Sequence, residues 1–190
     1  MVRRLLFAFA FAVCLGLSWH GAAGQQVVHA LTGTVSSIDP ADKTITVFLD
    51  SGSEGVFKDS TNTKVPSSLD KRFLADSTAE DAFKKKGSYV IVFYFGGRDT
   101  RTAVALRGLG TGPFTAVDGT VAKFESHDHA ISVEDKSGAV QTFKISGDTV
   151  AEGNMGAVGG LKFQPQKGDH MRIVAATENG NATALFVSQM

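Results

Sequence analysis

GTVSSIDPADKTITVFLDSGSEGVFKDSTNT, residues 33–63, returns as GTVAKFESHDHAISVEDKSGAVQTFKISGDT at residues 119–149. Twelve of these 31 ungapped positions are identical, where unrelated sequences of ordinary composition match at about two. The identities include Gly33-Thr34-Val35 with Gly119-Thr120-Val121, Ile45 and Val47 with Ile131 and Val133, and Phe57-Lys58 with Phe143-Lys144. The spacing is 86 residues here. It becomes 81 where Lys86-Gly87 returns as Lys167-Gly168 and Thr102-Ala103 as Thr183-Ala184. Solenoid repeats run about 20–50 residues, so a unit of this size reads as a duplicated domain.

Inside each copy the apolar period is two. Ile45, Val47 and Leu49 alternate with Thr44, Thr46 and Phe48, as a half-buried strand requires. Ser51-Gly52 and Ser137-Gly138 supply turns before a short strand carrying Phe57 or Phe143. Ser77 with Glu80 forms a capping box for a short helix in the first copy, which Gly87 can end in a left-handed conformation. Gly153, Gly156, Gly159 and Gly160 predict a shortened or missing helix in the second. Two more strands follow, around 89–95 and 101–107, then around 171–176 and 182–187. Three strands, a helix and two strands is the order of an OB-type barrel. The expected fold is all-β with one short helix: two tandem five-stranded OB-like barrels, over 25–107 and 117–190, joined by a linker at 108–116. A two-sheet sandwich spanning both copies has the same strand order.

The pattern G-T-V, I-x-V, S-G, F-K, T, K-G, T-A resembles a group of uncharacterised exported bacterial β-barrel domains, a domain-of-unknown-function class. It covers both copies. A more distant likeness is to periplasmic copper-binding OB-type domains, whose G-x-V strand and K-G-D turn are matched at Gly33-Thr34-Val35 and Lys167-Gly168-Asp169. Those domains hold copper with histidine, methionine and a tryptophan. Here the single tryptophan is Trp19, and no His/Met set occupies the expected second and third strands.

Residues 1–24 read as a cleavable signal peptide: Arg3-Arg4, an apolar run over 5–17, then Gly21-Ala22-Ala23-Gly24. Cleavage there would discard Cys14 and Trp19, leaving no thiol for disulfide or thiolate chemistry. It would also leave 17 basic against 19 acidic residues, which gives no general attraction to nucleic acid or an anionic membrane. A periplasmic or secreted location is expected, with no membrane-spanning segment after the leader.

Catalytic motifs are missing from the sequence: there is no G-x-S-x-G elbow, no H-E-x-x-H and no phosphate loop. A non-enzymatic envelope module without a cofactor is therefore expected, contacting a protein or glycan. Two surfaces are candidates. The first is the strand Tyr89–Phe95. Ile91 aligns with Arg172, and an arginine does not point into a small barrel. Tyr89, Ile91, Phe93 and Phe95 should therefore face outward, either as a stacking platform or packed on the second copy or on 27–31. The second is a copper or zinc site at His127 and His129 in the first loop of copy two, with Glu178 approaching from the fourth loop. The simpler alternative there is a solvated hairpin tip.

Overall fold

A computed structural model describes residues 27–60, 85–110, 112–178 and 180–190. The expected leader and the helix capped at Ser77 lie outside the described residues. The first unit is a closed barrel of strands β1 (His29–Asp39), β2 (Thr44–Leu49), β3 (Glu54–Asp59), β4 (Tyr89–Phe95) and β5 (Thr102–Gly108). The second contains β6 (Phe114–Glu125), β7 (Ala130–Asp135), β8 (Val140–Gly153), β9 (Gly156–Gly159), β10 (His170–Glu178) and β11 (Asn181–Gln189). Among the described residues there is no α-helix, only a 3-10 turn at Gly160–Lys162. The fold is all-β, built as two OB-like barrels.

The two units agree in register as well as in order. In each, one antiparallel ladder is completed by a parallel pairing: Lys58 and Asp59 with Thr102 and Ala103, Lys144 and Ile145 with Thr183 and Ala184. Bulges fall at matching places, between Val35 and Ser37 and between Val121 and Lys123. A second pair lies between Phe93 and Tyr94 and between Val174 and Ala175. The K-G turn is explained by its geometry. Gly87 and Gly168 have φ of 90° and 97°, a region open to glycine. Their N–H groups donate to the Val35 and Val121 carbonyls at 2.8 and 2.9 Å.

The invariant first glycine has a different role. A Cβ on Gly33 would lie 2.4 Å from the Phe48 carbonyl oxygen, and one on Gly119 would lie 2.3 Å from that of Glu134. Only glycine lets the long first strand cross this closely over the second.

The glycine-rich stretch of the second unit forms a hairpin. β8 runs on to Gly153, turns, and pairs with β9. Gly156 has φ of 93°, and a Cβ there would meet Val27 Cγ1 and the Val28 carbonyl oxygen at 2.5 Å. This hairpin clasps the start of β1, with the Ala157 N–H donating to the Val28 carbonyl at 2.8 Å.

Each barrel has its own interior. Val35, Ile45, Val47, Phe57, Val90 and Val92 fill the first, and Val121, Ile131, Val133, Phe143, Met171 and Ile173 fill the second. A third apolar cluster lies between them: Val28, Ala30, Ile91, Phe93, Val104 and Ala105 from one side, Val150, Val174 and Phe186 from the other. Phe93 and Val174 are equivalent positions, as are Ala105 and Phe186, and as are Val28 and Phe114. The barrels therefore meet through the same face of each, as in a two-fold homodimer whose partners have been joined in one chain.

Candidate functional site

Aromatic β4 lies, as its alternation requires, with Val90 and Val92 inside its barrel and Ile91 and Phe93 outside. The outside is covered, however. Ile91 and Phe93 are fully buried in the layer between the barrels, and Tyr89 and Phe95 are partly buried beside them. Tyr89 stacks at 5.1 Å on Phe114 of the second barrel. The strand is thus a packing surface closed by the second barrel, and no open platform exists at Ile91 or Phe93.

Polar groups frame this layer. His29 Nδ1 and the Ala30 N–H reach the two carboxylate oxygens of Glu152 at 2.7 and 2.8 Å. Arg107 donates to the Asp148 carbonyl at 2.6 Å. Asp50 accepts from Thr32 and Tyr89, each at 2.6 Å. Burial first, and then this bond to Asp50, hold the Tyr89 phenol far above its ordinary pKa, so it stays a donor. Burial likewise raises the Glu152 carboxyl, against the bonds from His29 and Ala30 that lower it. Among the described residues no buried side-chain nitrogen or oxygen lacks a partner.

Arg172, the counterpart of Ile91, forks onto both oxygens of Asp118 at 2.6 Å. That bond holds the Asp118 carboxyl below its ordinary 3.8. A depressed folded pKa contributes stability above the unfolded value, and that stability disappears as pH falls through the folded one. Asp118→Asn is therefore expected to lower Tm at pH 7, with an effect that shrinks as pH falls below 3.8 through the folded value. A Tm difference that stays the same size down to the acid limit of folding would contradict the pairing.

The histidine loop is a plain hairpin tip. His127 and His129 are exposed, and His129 takes φ of 49°, as Lys43 takes 51° at the matching position. Lys144 of β8 pairs on one side with Ala130, which follows His129, and on the other with Thr183 near the start of β11. A single strand therefore separates the histidine loop from the β10–β11 hairpin that carries Glu178. Met155, 85% exposed at the β8–β9 turn, joins neither. Among the described residues no group of three or more His, Cys, Asp or Glu side chains is placed to hold a metal ion.

A concavity lies elsewhere, a groove of about 980 Å³ on the first barrel, along β2, β3 and the loop between β4 and β5. In an OB barrel this second- and third-strand face with its adjoining loops is where oligonucleotides and oligosaccharides bind. Arg101 lines this groove. Its guanidinium carbon lies 5.6 Å from the centroid of Phe57 and 5.4 Å from that of Tyr94, a cation–π seat that fixes the charge. Gly55 makes room for it: a Cβ there would stand 3.1 Å from Arg101 Nη1 and 2.9 Å from Phe57 Cε2. Lys58 and Arg98 line the same groove with Glu54, Asp99, Ser51, Ser53 and Thr100. Among the described residues no carboxylate pairs with Lys58, Arg98 or Arg101. The second barrel keeps Phe143 and Lys144 for Phe57 and Lys58, but Ala182 stands for Arg101, Ala175 for Tyr94, Gln141 for Gly55 and Asn179 for Arg98. Loop residues of this kind look like ordinary turn polarity in one sequence. The available signal was that four of them change together between the copies.

No family model matches this chain, and no curated protein does. Among solved structures it is similar to a crystal structure of Ag(I)CusF, with 9% identity and a TM-score of 0.33 over 42% of this chain and all of that one. A likeness of that size says nothing of what this chain binds. Among the described residues no helix is long and apolar enough to cross a membrane.

Proposed function

We propose that this protein is an exported, non-enzymatic binding module whose ligand, from the cell envelope, occupies the groove of the first barrel. The carrying observation is an arginine seated on two rings, with no carboxylate partner among the described residues, beside a concavity of ligand size, while Arg101, Tyr94, Gly55 and Arg98 are all changed in the other copy. A shared fold needs the residues that both copies keep. A site carried by one copy needs only the residues that differ. The second barrel is then the support that covers β4 and steadies the first. The leader-like residues 1–24 support a periplasmic or secreted location.

Replacing groove residues with their second-barrel counterparts, Glu54→Val, Arg98→Asn and Arg101→Ala together, provides the test. The wild-type chain and the variant are titrated calorimetrically against a panel of acidic and neutral oligosaccharides, short peptides, and copper and zinc salts. At least one panel member should bind the wild type and lose tenfold or more in affinity to the variant, about 1.4 kcal/mol, while Tm moves by only a few degrees. Binding that survives the replacement throughout the panel would overturn the groove as the site. Copper or zinc bound tighter than about 10 μM and lost with His127→Ala would move the site to the histidine loop.

A further inference from the structure

The groove's charges select among ligands, and this step rests on the groove being the binding site. Lys58, Arg98 and Arg101 present three cations without partners among the described residues, but Glu54 and Asp99 line the same walls. A polyanion such as a nucleic acid would meet both carboxylates unfavourably. A neutral ligand would leave the Arg101 fork unused. The lining fits a molecule with an isolated carboxylate and many hydroxyl groups. The carboxylate suits a planar guanidinium, which binds it through two parallel hydrogen bonds. The hydroxyls suit Glu54 and Asp99 as acceptors, and Ser51 and Thr100 as either donors or acceptors. An apolar contact is also at hand. Phe48, the cross-strand neighbour of Glu54, is 52% exposed on the outer face, and Val56 is 56% exposed beside it. Such a surface packs against the C–H face of a sugar ring.

We propose that the groove binds an acidic oligosaccharide, with a uronate carboxylate on Arg101 and a neighbouring ring against Phe48. The second barrel offers no such site, since Ala182 replaces Arg101 and Glu134 replaces Phe48.

The experiment titrates the full chain with trigalacturonate, maltotriose and triglutamate by calorimetry. Trigalacturonate should bind at least tenfold tighter than the other two, weaken as salt is raised, and lose tenfold or more with Arg101→Gln. Phe48→Ser, on an exposed position, should weaken it severalfold with Tm unchanged. Maltotriose bound equally well would overturn charge selection while leaving the groove as a sugar site. Triglutamate bound equally well would overturn the sugar, and no binding of trigalacturonate at millimolar concentration would overturn the proposal outright. If Arg101→Gln lowers Tm substantially, Arg98→Gln takes its place, and its trigalacturonate affinity should fall severalfold. Affinity unchanged by either arginine variant also contradicts the proposal.

Discussion

Gly119→Ala is expected to destabilise the fold by about 3 kcal/mol, toward the upper end for overpacking. The added Cβ would stand 2.3 Å from the Glu134 carbonyl oxygen and 2.6 Å from Val133 Cγ1. The first obstacle is backbone, held by the β6–β7 ladder through Gly119 and Asp135. It can yield only if the first two strands of the barrel separate, which disturbs the closure of the whole ring. Gly33→Ala should behave alike for the same reason. Gly147→Ala is the control, since the nearest atom to its Cβ would be Leu161 Cδ1 at 4.0 Å, and its effect should lie within about 0.5 kcal/mol. Urea unfolding of the three variants measures the difference. Equal effects at Gly119 and Gly147 would show that close strand crossing is not what this glycine serves.

Phe93→Ala should cost about 3–5 kcal/mol, the usual range for removing a buried phenylalanine. That is a large share of the 5–15 kcal/mol that holds a typical domain together. Phe93 is fully buried in the layer that joins the barrels, so the loss should fall on their docking. Unfolding followed at both barrels should separate into two transitions where the wild type shows one. Exposure of β4 amides to hydrogen exchange should rise in parallel. A variant of unchanged stability would mean that the Tyr89–Phe95 face is free for a ligand after all.

Much of the architecture was legible because the repeat supplies two readings of each position. The alignment of Ile91 with Arg172 is enough to turn β4's aromatic face outward, since a guanidinium has no place inside a small barrel. What covers that face is not in the alternation pattern. Burial of Ile91 and Phe93 depends on Val174 and Phe186 arriving from 80 or more residues away, and those look like ordinary strand positions in sequence. For the metal expectation, the structure shows His127 and His129 exposed on the β6–β7 turn, and among the described residues no group of three or more His, Cys, Asp or Glu side chains is placed to hold a metal ion.

The groove was missed for a related reason. Arg98 and Arg101 stand in a loop rich in glycine and polar residues, where charge is expected anyway. Arg101 becomes distinctive only when its ring partners are known, and Phe57 is 44 positions distant in sequence and on another strand. Gly55 carried the clearest unread hint. A glycine inside a short strand marks a close approach, and here the approaching group is the guanidinium itself.

Assigned amide spectra of the full chain, recorded while trigalacturonate is added, test the location of the site most directly. Shifts should be confined to residues 48–58 and 98–102 of the first barrel, leaving 134–144 and 180–183 of the second in place. Shifts centred on the His127–His129 turn, or spread equally over the matching faces of both barrels, would contradict the assignment of binding to one copy.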